Sequence, residues 1–335
     1  MRVGLIYDVF SSYEWRPSDP QDADAEFEPM ATVEALEQAL LKLGHEPIRI
    51  GTAKNLLEQL PALSIDAAVN IAEGAHSRNR EAYAPILLEM AGVPFLGSDA
   101  LTLSLSLDKV WTKDLAVAAG VKTPPYAVYS FNKLDEFPAP PASFPLFIKP
   151  RYEGSSKGIT EASCVYDEAE MQHQAKQVAL QYQQDALIEG YITGGGEFTV
   201  AVIGNDPPLA LPALQRAVES DSGIGLHALD RRGYANADLA YKLDGDLNPE
   251  LEQKMKDMAL AVFQKLECLD FARVDFRVDD AGEPWFLEIN PLPTFAPDGT
   301  FAILAELMGQ SYPEFLSDTL AKGFARLGLA AAVED

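Results

Sequence analysis

Two oxygen-bearing side chains stand two residues apart in an apolar segment that reads FLEINPLP, residues 286–293. Side chains alternate along a β-strand, so Glu288 and Asn290 are predicted on one face, with their apolar neighbours on the other. Carboxylate and amide oxygens together suit a hard cation, because Mg2+ takes oxygen ligands and usually keeps waters and phosphate oxygens in its shell. A strand end with a solvated polar face would show the same pattern.

The preceding segment distinguishes these interpretations, because it completes the pattern of a β-hairpin. A strand at 271–278 leads through the turn-rich residues 279–282 into the second strand at 284–290. Such a four-residue turn is predicted to pair Val278 with Glu283.

In that register Arg273 lies opposite Glu288. Asp275 lies opposite Phe286, and Asn290 follows on the same face. A slip by one residue would separate these polar groups. Two carboxylates, an amide and a guanidinium are too many polar groups for a typical buried sheet face. They suit a metal ion that bridges phosphate oxygens.

A second candidate site is the segment FIKPRYEGSSKG, residues 147–158. Its glycines allow close approach of the backbone to a ligand, and hydroxyls and amide N–H groups at Ser155 and Ser156 can hold phosphate oxygens. Lys149 adds a positive charge at the end of the strand. The spacing is not that of a Walker A loop, and an ordinary solvated loop is the alternative. Lys157 is left without an assigned role, and a solvated side chain is one interpretation of it.

The composition limits the partners of these sites. The chain has 335 residues and a formal charge of −25, which argues against a nucleic-acid surface, because that needs a basic footprint. No apolar run approaches the ~20 residues of a membrane-spanning helix, and residues 1–8 are predicted to be a strand, not a signal peptide. Only two cysteines occur, which fits the reducing cytoplasm. The expected partners are small molecules, without nucleic acid or membrane.

Strand and helix patterns alternate along the chain, which predicts an α/β fold whose first, doubly wound unit ends near Gly97. Val33, Leu36 and Leu40 form one apolar stripe of a helix that Gly44 ends. The predicted strands are 3–7, 47–50, 66–71, 146–149, 186–189 and 197–203. The predicted helices are 32–43, 81–91, 108–119, 167–183 and 249–266, and an irregular region is predicted at 211–246. Three domains are expected, at 1–100, 101–190 and 191–335.

Four segments taken together carry the most specific pattern. They read LEMAGVPFLGSDALTLSLSLDK (88–109), IKPRYEGSSKG (148–158), LIEGYITGGGEFTVAVIG (187–204) and ARVDFRVDDAGEPWFLEIN (272–290). In this order they resemble motifs of the ATP-grasp superfamily, and most closely those of the D-alanine–D-alanine ligase family. The resemblance implies an ATP-grasp fold of α/β and α+β parts, with an N-terminal doubly wound α/β domain.

The resemblance also implies roles for individual residues. Nucleotide phosphates would be contacted by Lys109 and Lys149, and by a lid loop that contains Ser155 and Ser156, with Ser155 and Arg273 counted as catalytic. The adenine edge would be held by Glu189 and the backbone at Ile192, and the ribose by Glu197. The metal ligands would be Asp275, Glu288 and Asn290, and Arg273 would face the developing oxyanion.

The implied cofactors are ATP and Mg2+, for which Mn2+ could substitute. The implied reaction is an ADP-forming carboxylate–amine ligation. A substrate carboxylate attacks the γ-phosphate of ATP, and an amine then displaces phosphate from the acyl phosphate. Positioning and charge neutralisation would carry the first step, and Arg273 would stabilise the tetrahedral oxyanion of the second. The substrates would be amino acids or peptides, and the resemblance is compatible with a homodimer.

Departures from the family pattern fall on the amino-acid pockets. NIAEGAHSRNREA (70–82) stands where the family has an HG-x-x-GEDG-type loop, and a long acidic segment (8–30) replaces its serine-rich loop. Gly190 replaces a usual lysine, and PLPTFAPDG (291–299) replaces a loop of small residues. The expected Lys-Tyr pair is absent from 211–246, where the nearest polar candidates are His227, Arg231, Arg232 and Tyr234. Substrates other than two D-alanines are therefore predicted. The alternatives are a divergent D-alanine–D-alanine ligase, a nucleotide-binding protein without ligase activity, and another ATP-grasp chemistry.

The acidic segment bears on the substrate. Residues 8–28 carry seven carboxylates and one cation, Arg16. Such a cluster could attract an amine or a cationic substrate, and a solvated acidic loop is the alternative. Glu73, Arg78, Arg80 and Glu81 predict mixed charge in the first-substrate pocket.

Overall fold

β1 (Arg2–Tyr7) is an inner strand of a parallel sheet in the computed structural model, which describes residues 1–216 and 248–329. Its partners are β2 (Glu46–Gly51) and β3 (Ala67–Ile71), and β3 also pairs with β4 (Phe95–Leu96). All five residues of β3 are buried, as expected of a parallel strand covered on both faces. The order β2-β1-β3-β4 and the helices on both faces confirm the predicted α/β unit.

Helices cover the sheets and form most of the connections. In the described residues they are α1 (Met30–Lys42), α2 (Ala53–Gln59), α3 (Tyr83–Ala91), α4 (Ala100–Leu107), α5 (Lys109–Ala118), α6 (Glu168–Tyr182), α7 (Pro249–Lys265), α8 (Thr300–Leu307) and α9 (Tyr312–Arg326). The predicted stripe of α1 is buried, and Gly44 ends the helix with a left-handed φ of 75°. None of these helices is long and apolar enough to cross a membrane.

A second sheet is antiparallel. It contains the strand that precedes residues 151–158, the glycine and serine loop. Its strands are β5 (Tyr126–Tyr129), β6 (Leu146–Pro150), β7 (Cys164–Val165) and β8 (Ala186–Gly190), in the order β5-β8-β6-β7. Met171, Ala175 and Val178 of α6 pack onto it and close a separate core. The loop after β6 is thereby anchored to a rigid sheet.

A third sheet is also antiparallel. It carries the strand with Glu288 and Asn290, the candidate metal strand. Its strands are β9 (Gly196–Ile203), β10 (Leu209–Ala210), β11 (Leu214–Arg216), β12 (Phe271–Val278) and β13 (Pro284–Asn290). α7 covers one face through Met255, Ala259 and Val262. β11 corrects the prediction that the chain is irregular from residue 211 onward. The candidates His227, Arg231, Arg232 and Tyr234 lie outside the described residues.

The register of the β12–β13 hairpin differs from the prediction. The turn pairs Val278 with Pro284, one residue later than expected, and the register then skips Leu287. Asp275 consequently lies opposite Glu288, not opposite Phe286. A one-residue slip reverses the face of every side chain, and a bulge of one residue reverses it again.

Because the two offsets add to two residues, the predicted polar face forms, but its side chains have different partners. Arg273 lies opposite Asn290, and Asp275 lies opposite Glu288. Residues directly opposite each other share a face of the sheet. The four polar side chains therefore lie side by side, although the pairings predicted for Arg273 and Asp275 are wrong.

The last helix of the described chain packs against the first. Leu316 and Leu320 of α9 share a core with Leu36 and Leu40 of α1. Farther along α9, Arg326 donates to both carboxylate oxygens of Asp270 at 2.8 and 2.7 Å. The C-terminal helix thus completes the covering of the N-terminal sheet.

Candidate active site

The centre of the candidate site is the polar face of β12 and β13. Arg273 donates from its Nη2 to Asp275 at 3.1 Å, and Asp275 also accepts from the Thr199 hydroxyl at 2.6 Å. These contacts hold the Asp275 carboxylate beside Glu288, its partner on β13. Asn290 adds an amide oxygen to the side-chain oxygens on this face that could bind a metal ion.

Lys109, the first residue of α5, links this face to the glycine and serine loop. Its Nζ lies 3.2 Å from Oε2 of Glu288 and donates to the Glu153 carbonyl at 2.5 Å. Burial works against ionisation of Glu288, but Lys109, Lys149 and Arg273 outweigh it and lower the pKa of Glu288 to about 2. The carboxylate is therefore charged at neutral pH.

The start of α5 is fixed by a buried carboxylate. Asp108 caps the helix by accepting from the backbone N–H of Val110 at 3.1 Å. It also accepts from Nε and Nη2 of Arg151, both at 2.8 Å. This bidentate pair ties the N-terminus of α5, and with it Lys109, to the end of β6.

Lys149 belongs to a buried triad that includes a residue the sequence analysis missed. Its Nζ lies 2.8 Å from Glu189, and Lys113 lies 3.0 Å from the other oxygen of the same carboxylate. Burial opposes the charge on Lys149, but Glu189 and Glu288 raise its pKa above the ordinary value. Burial and repulsion by Lys149 lower the pKa of Lys113 to about 8, despite its pairing with Glu189. The spacing of Lys113, four residues after Lys109, is the signal that could have identified it.

The glycine and serine loop forms a tight turn with unusual backbone angles. Ser155 and Ser156 both have left-handed φ values, 44° and 56°, and the N–H of Lys157 donates to the Gly154 carbonyl at 2.9 Å. Left-handed backbone is uncommon outside glycine and often marks a functional loop. Ser155 lines the cavity between this loop and β13, and Ser156 lies beside it in the turn.

The acidic N-terminal segment holds the same loop. Glu26 accepts from the N–H of Gly154 at 2.5 Å and from Nζ of Lys157 at 2.8 Å. Asp22 accepts from the N–H of Gly158 at 2.8 Å. The loop is thereby bound at both ends by carboxylates of the segment before α1.

These contacts correct two expectations. Lys157 is buried and not solvated. The solvated-loop interpretation is also wrong for Glu26 and Glu28, which are buried, although Glu14 is exposed. Burial opposes ionisation of Glu26, but Arg80, at 2.6 Å, and Lys157 hold its pKa well below the usual range.

Two further carboxyls line the cavity between the glycine and serine loop and β13. Glu73 and Glu81 come from the loop between β3 and α3, and both are buried. Burial, followed by repulsion from Glu81 and Glu26, raises the pKa of Glu73 well above its usual value. Burial also raises the pKa of Glu81, to about 8. Arg80 of the same loop pairs with Glu26 at 2.6 Å and does not line this cavity, so the predicted mixed charge of the first-substrate pocket stays a prediction.

Ile192 and Glu197 meet through an arginine that the sequence analysis did not consider. Nε of Arg277 donates to the Ile192 carbonyl at 2.7 Å, and its Nη1 lies 3.5 Å from Glu197. The same guanidinium lies over the Tyr191 ring, 4.6 Å from its centroid. The junction of β8 and β9 is therefore ordered, and the nucleotide roles of Ile192, Glu197 and Glu189 stay predictions.

The oxygen donors of β12 and β13 fit a magnesium ion. Asp275, Glu288 and Asn290 offer two carboxylates and an amide, which are hard ligands. Within residues 1–216 and 248–329, no three Asp, Glu, His or Cys side chains are grouped as metal ligands. A cation here would therefore depend on the Asn290 amide and on oxygens of a bound phosphate.

Comparison with known proteins gives a consistent result. The family described as D-ala D-ala ligase C-terminus matches residues 118–321. The uncharacterized protein y4sG of Sinorhizobium fredii is 31% identical over 292 residues, 84% of this chain and 84% of that protein. The D-alanine–D-alanine ligase of Carboxydothermus hydrogenoformans is 30% identical over 310 residues, 88% of this chain and 93% of that enzyme.

Solved structures share the fold over nearly the whole chain. The D-alanine–D-alanine ligase of Bacillus anthracis, complexed with ATP, has a TM-score of 0.73 and 22% identity, with 98% of each chain covered. The VanG D-Ala:D-Ser ligase of Enterococcus faecalis has a TM-score of 0.70 and 19% identity, also with 98% of each chain covered. These matches confirm the predicted ATP-grasp architecture.

Proposed function

The chain belongs to the D-alanine–D-alanine ligase family, and from this premise we propose that it is an ADP-forming carboxylate–amine ligase whose substrates are not two D-alanines. Family membership makes it an ATP-dependent ligase that forms a peptide or amide bond. One observation carries the proposal most directly: Lys109 contacts both Glu288 of the metal strand and the backbone of the glycine and serine loop. That arrangement brings a cation, the proposed metal ligands and the proposed phosphate-binding loop to one place.

The residues at this place would share the charge of the phosphates. Lys109, Lys149 and the turn at Ser155 and Ser156 would bind and orient the phosphates of ATP. When bound at Asp275, Glu288 and Asn290, Mg2+ would neutralise phosphate charge, and Mn2+ could replace it. The adenine would contact Glu189 and the backbone at Ile192, and the ribose would contact Glu197.

The reaction consists of two displacements. An oxygen of the substrate carboxylate bonds to the γ-phosphorus of ATP while the bond to the β-phosphate oxygen breaks, which gives an acyl phosphate and ADP. The amine nitrogen then attacks the acyl carbon, phosphate leaves, and the nitrogen loses a proton. Arg273, held by Asp275, would donate to the oxyanion of that second step. Closure of the loop at Ser155 would exclude water from the acyl phosphate.

The proposal on substrates is supported by the rebuilt pocket. Buried Glu73 and Glu81 occupy the loop that departs from the family pattern. A wall with two acidic side chains favours a substrate with an amino or other polar group over plain D-alanine.

The setting we propose is a cytoplasmic homodimer that uses amino acids or peptides and binds no nucleic acid. Support for a dimer comes from exposed apolar side chains on the contacting helices α3 and α4, which include Ile86, Met90 and Leu101. We also propose functional units at 1–100, 101–190 and 191–335, with the lid in the second and the metal ligands in the third.

The test is a screen for ADP release with ATP, Mg2+ and pairs drawn from amino acids and dipeptides, followed by mass spectrometry of the product. We expect turnover with a pair other than two D-alanines. Efficient turnover with D-alanine alone, giving D-alanyl-D-alanine, would refute the substrate proposal and leave a divergent D-alanine–D-alanine ligase. ATP binding without ADP release for every pair would refute the ligase proposal.

A further inference from the structure

The cavity between the glycine and serine loop and β13 is lined by more acidic side chains than basic ones. Four carboxylates line it, and Lys109 is the one cation among its described lining residues. Lys109 pairs with Glu288 at 3.2 Å, and Glu26 pairs with Lys157 at 2.8 Å and with Arg80 at 2.6 Å. The pairing of the other two lining carboxyls, Glu73 and Glu81, remains to be described.

Neither of these carboxyls has a partner in the described part of the chain. Glu73 is 9% exposed and Glu81 is 7% exposed, yet within residues 1–216 and 248–329 neither side chain makes a hydrogen bond or an ion pair. The nearby guanidinium of Arg80 is directed to Glu26 and, at 3.4 Å, to Glu153. Burying an unpaired carboxyl costs free energy, so such groups mark functional sites more often than structural ones.

The size and lining of the cavity indicate which chemical group these carboxyls would bind. Its volume is about 30 Å3, which is room for a group the size of a water molecule or an ammonium ion. A carboxylate would meet these two acidic side chains there, and an apolar group would leave both of them unpaired. The group must also belong to a molecule that reaches the reacting centre, because Lys109 and Asn290 line the same cavity.

We propose that Glu73 and Glu81 form a subsite for a terminal ammonium group, so that one substrate is a basic amino acid with a second amine beyond its α-amino group. The proposal rests on the ligase function above and adds the chemical class of the substrate. Its carboxyl or α-amino end lies toward Lys109 and the metal strand, and its side-chain ammonium is bound between Glu73 and Glu81.

The raised pKa values of Glu73 and Glu81 support this assignment in addition to the geometry of the cavity. Burial keeps the pKa of Glu81 near 8 in the empty cavity, and the pKa of Glu73 is raised as well. A bound ammonium would stabilise the ionised carboxyls, so that binding of a basic amino acid near pH 7 releases protons. Neutral amino acids would not cause this release.

The experiment compares matched ligands by calorimetry on the full chain with ADP and Mg2+. Ornithine and norvaline have side chains of equal carbon count and differ in the terminal ammonium. We expect ornithine to bind at least about tenfold more tightly, since a hydrogen bond between charged groups is stronger than one between neutral groups. Titrations in buffers of different ionisation enthalpy should show proton release for ornithine only. Ornithinamide, which lacks a free carboxylate, can act only as the amine acceptor, so its binding and turnover distinguish the acceptor site from the donor site.

Variants separate the subsite from the ligase reaction. Glu73→Gln and Glu81→Gln should each abolish the preference for ornithine, and Glu89→Gln, on the exposed face of α3, should retain it. Equal binding of ornithine and norvaline, no binding of either, or a preference that survives both variants would overturn the proposal. ADP release with neutral amino acids would leave the ligase function standing in each of those cases, and its absence with every amino acid would refute the ligase function separately.

Discussion

Replacement of Glu81 by glutamine should make the protein more stable in alkaline solution. Burial raises the pKa of this carboxyl from 4.5 to about 8. Between these pH values the folded protein holds a proton at Glu81 that the unfolded chain has released. The free energy of unfolding therefore falls as the pH rises through this window, and it is highest at the acidic end.

The size of the effect follows from the same two pKa values. A tenfold change in an equilibrium is worth about 1.4 kcal/mol, so the full rise corresponds to an upper limit of roughly 5 kcal/mol. The glutamine side chain would be neutral at every pH and close in shape to the protonated acid. We expect the wild type and Glu81→Gln to melt together at pH 5 and to differ by several degrees at pH 8.5, with the variant higher.

The assay is a thermal melt of both proteins at half-unit steps from pH 5 to pH 9, with Glu89→Gln as the surface control. The control should follow the wild type at every pH. Glu73 still titrates in the variant, so some pH dependence should remain. If Glu81→Gln and wild type lost stability in parallel, Glu81 would not be an isolated buried acid, and the reasoning would fail.

Three other changes test the catalytic face and the loop. Glu288→Gln should lower ADP release by orders of magnitude at low Mg2+ because a charged ligand is lost, and Glu283→Gln, just after the turn of the same hairpin, should not. Glu26→Gln should speed protease cleavage near Ser155 without nucleotide, and ATP with Mg2+ should restore protection; unchanged cleavage would mean that Glu26 does not restrain the loop. Asp108→Ala should lower the free energy of unfolding by about 2 kcal/mol in urea, because it removes the bidentate partner of Arg151, which keeps Asp185 at 3.2 Å, and leaves α5 uncapped; Asp108→Asn should cost less.

The sequence predicted the face of the metal strand but not its partners. Alternation along the strand placed Glu288 and Asn290 together, and that depends only on local geometry. The opposite residues depend on where the turn closes and on the bulge at Leu287, and no feature of the sequence marks that bulge. The two shifts add to two residues, which changes the partners but returns each side chain to the predicted face.

The burial of charged residues by distant parts of the chain could not be predicted from the sequence, for a different reason. The segment before α1 reads as a solvated acidic loop, because charge runs usually are. Glu26 is buried only because Arg80, Lys157 and the backbone of Gly154 converge on it from distant parts of the chain. The same convergence buries Lys157, whose own neighbours in sequence predict an exposed side chain.

The packing of α9 on α1 has a consequence for synthesis on the ribosome. Leu36 and Leu40 of α1 are made early, but the Leu316 and Leu320 side chains that share their core come almost at the end. At about 5–20 residues per second, the intervening chain takes tens of seconds to make. During that time an apolar face of the nascent N-terminal sheet layer has no permanent cover, and this is when a chaperone that binds apolar helices would find its target.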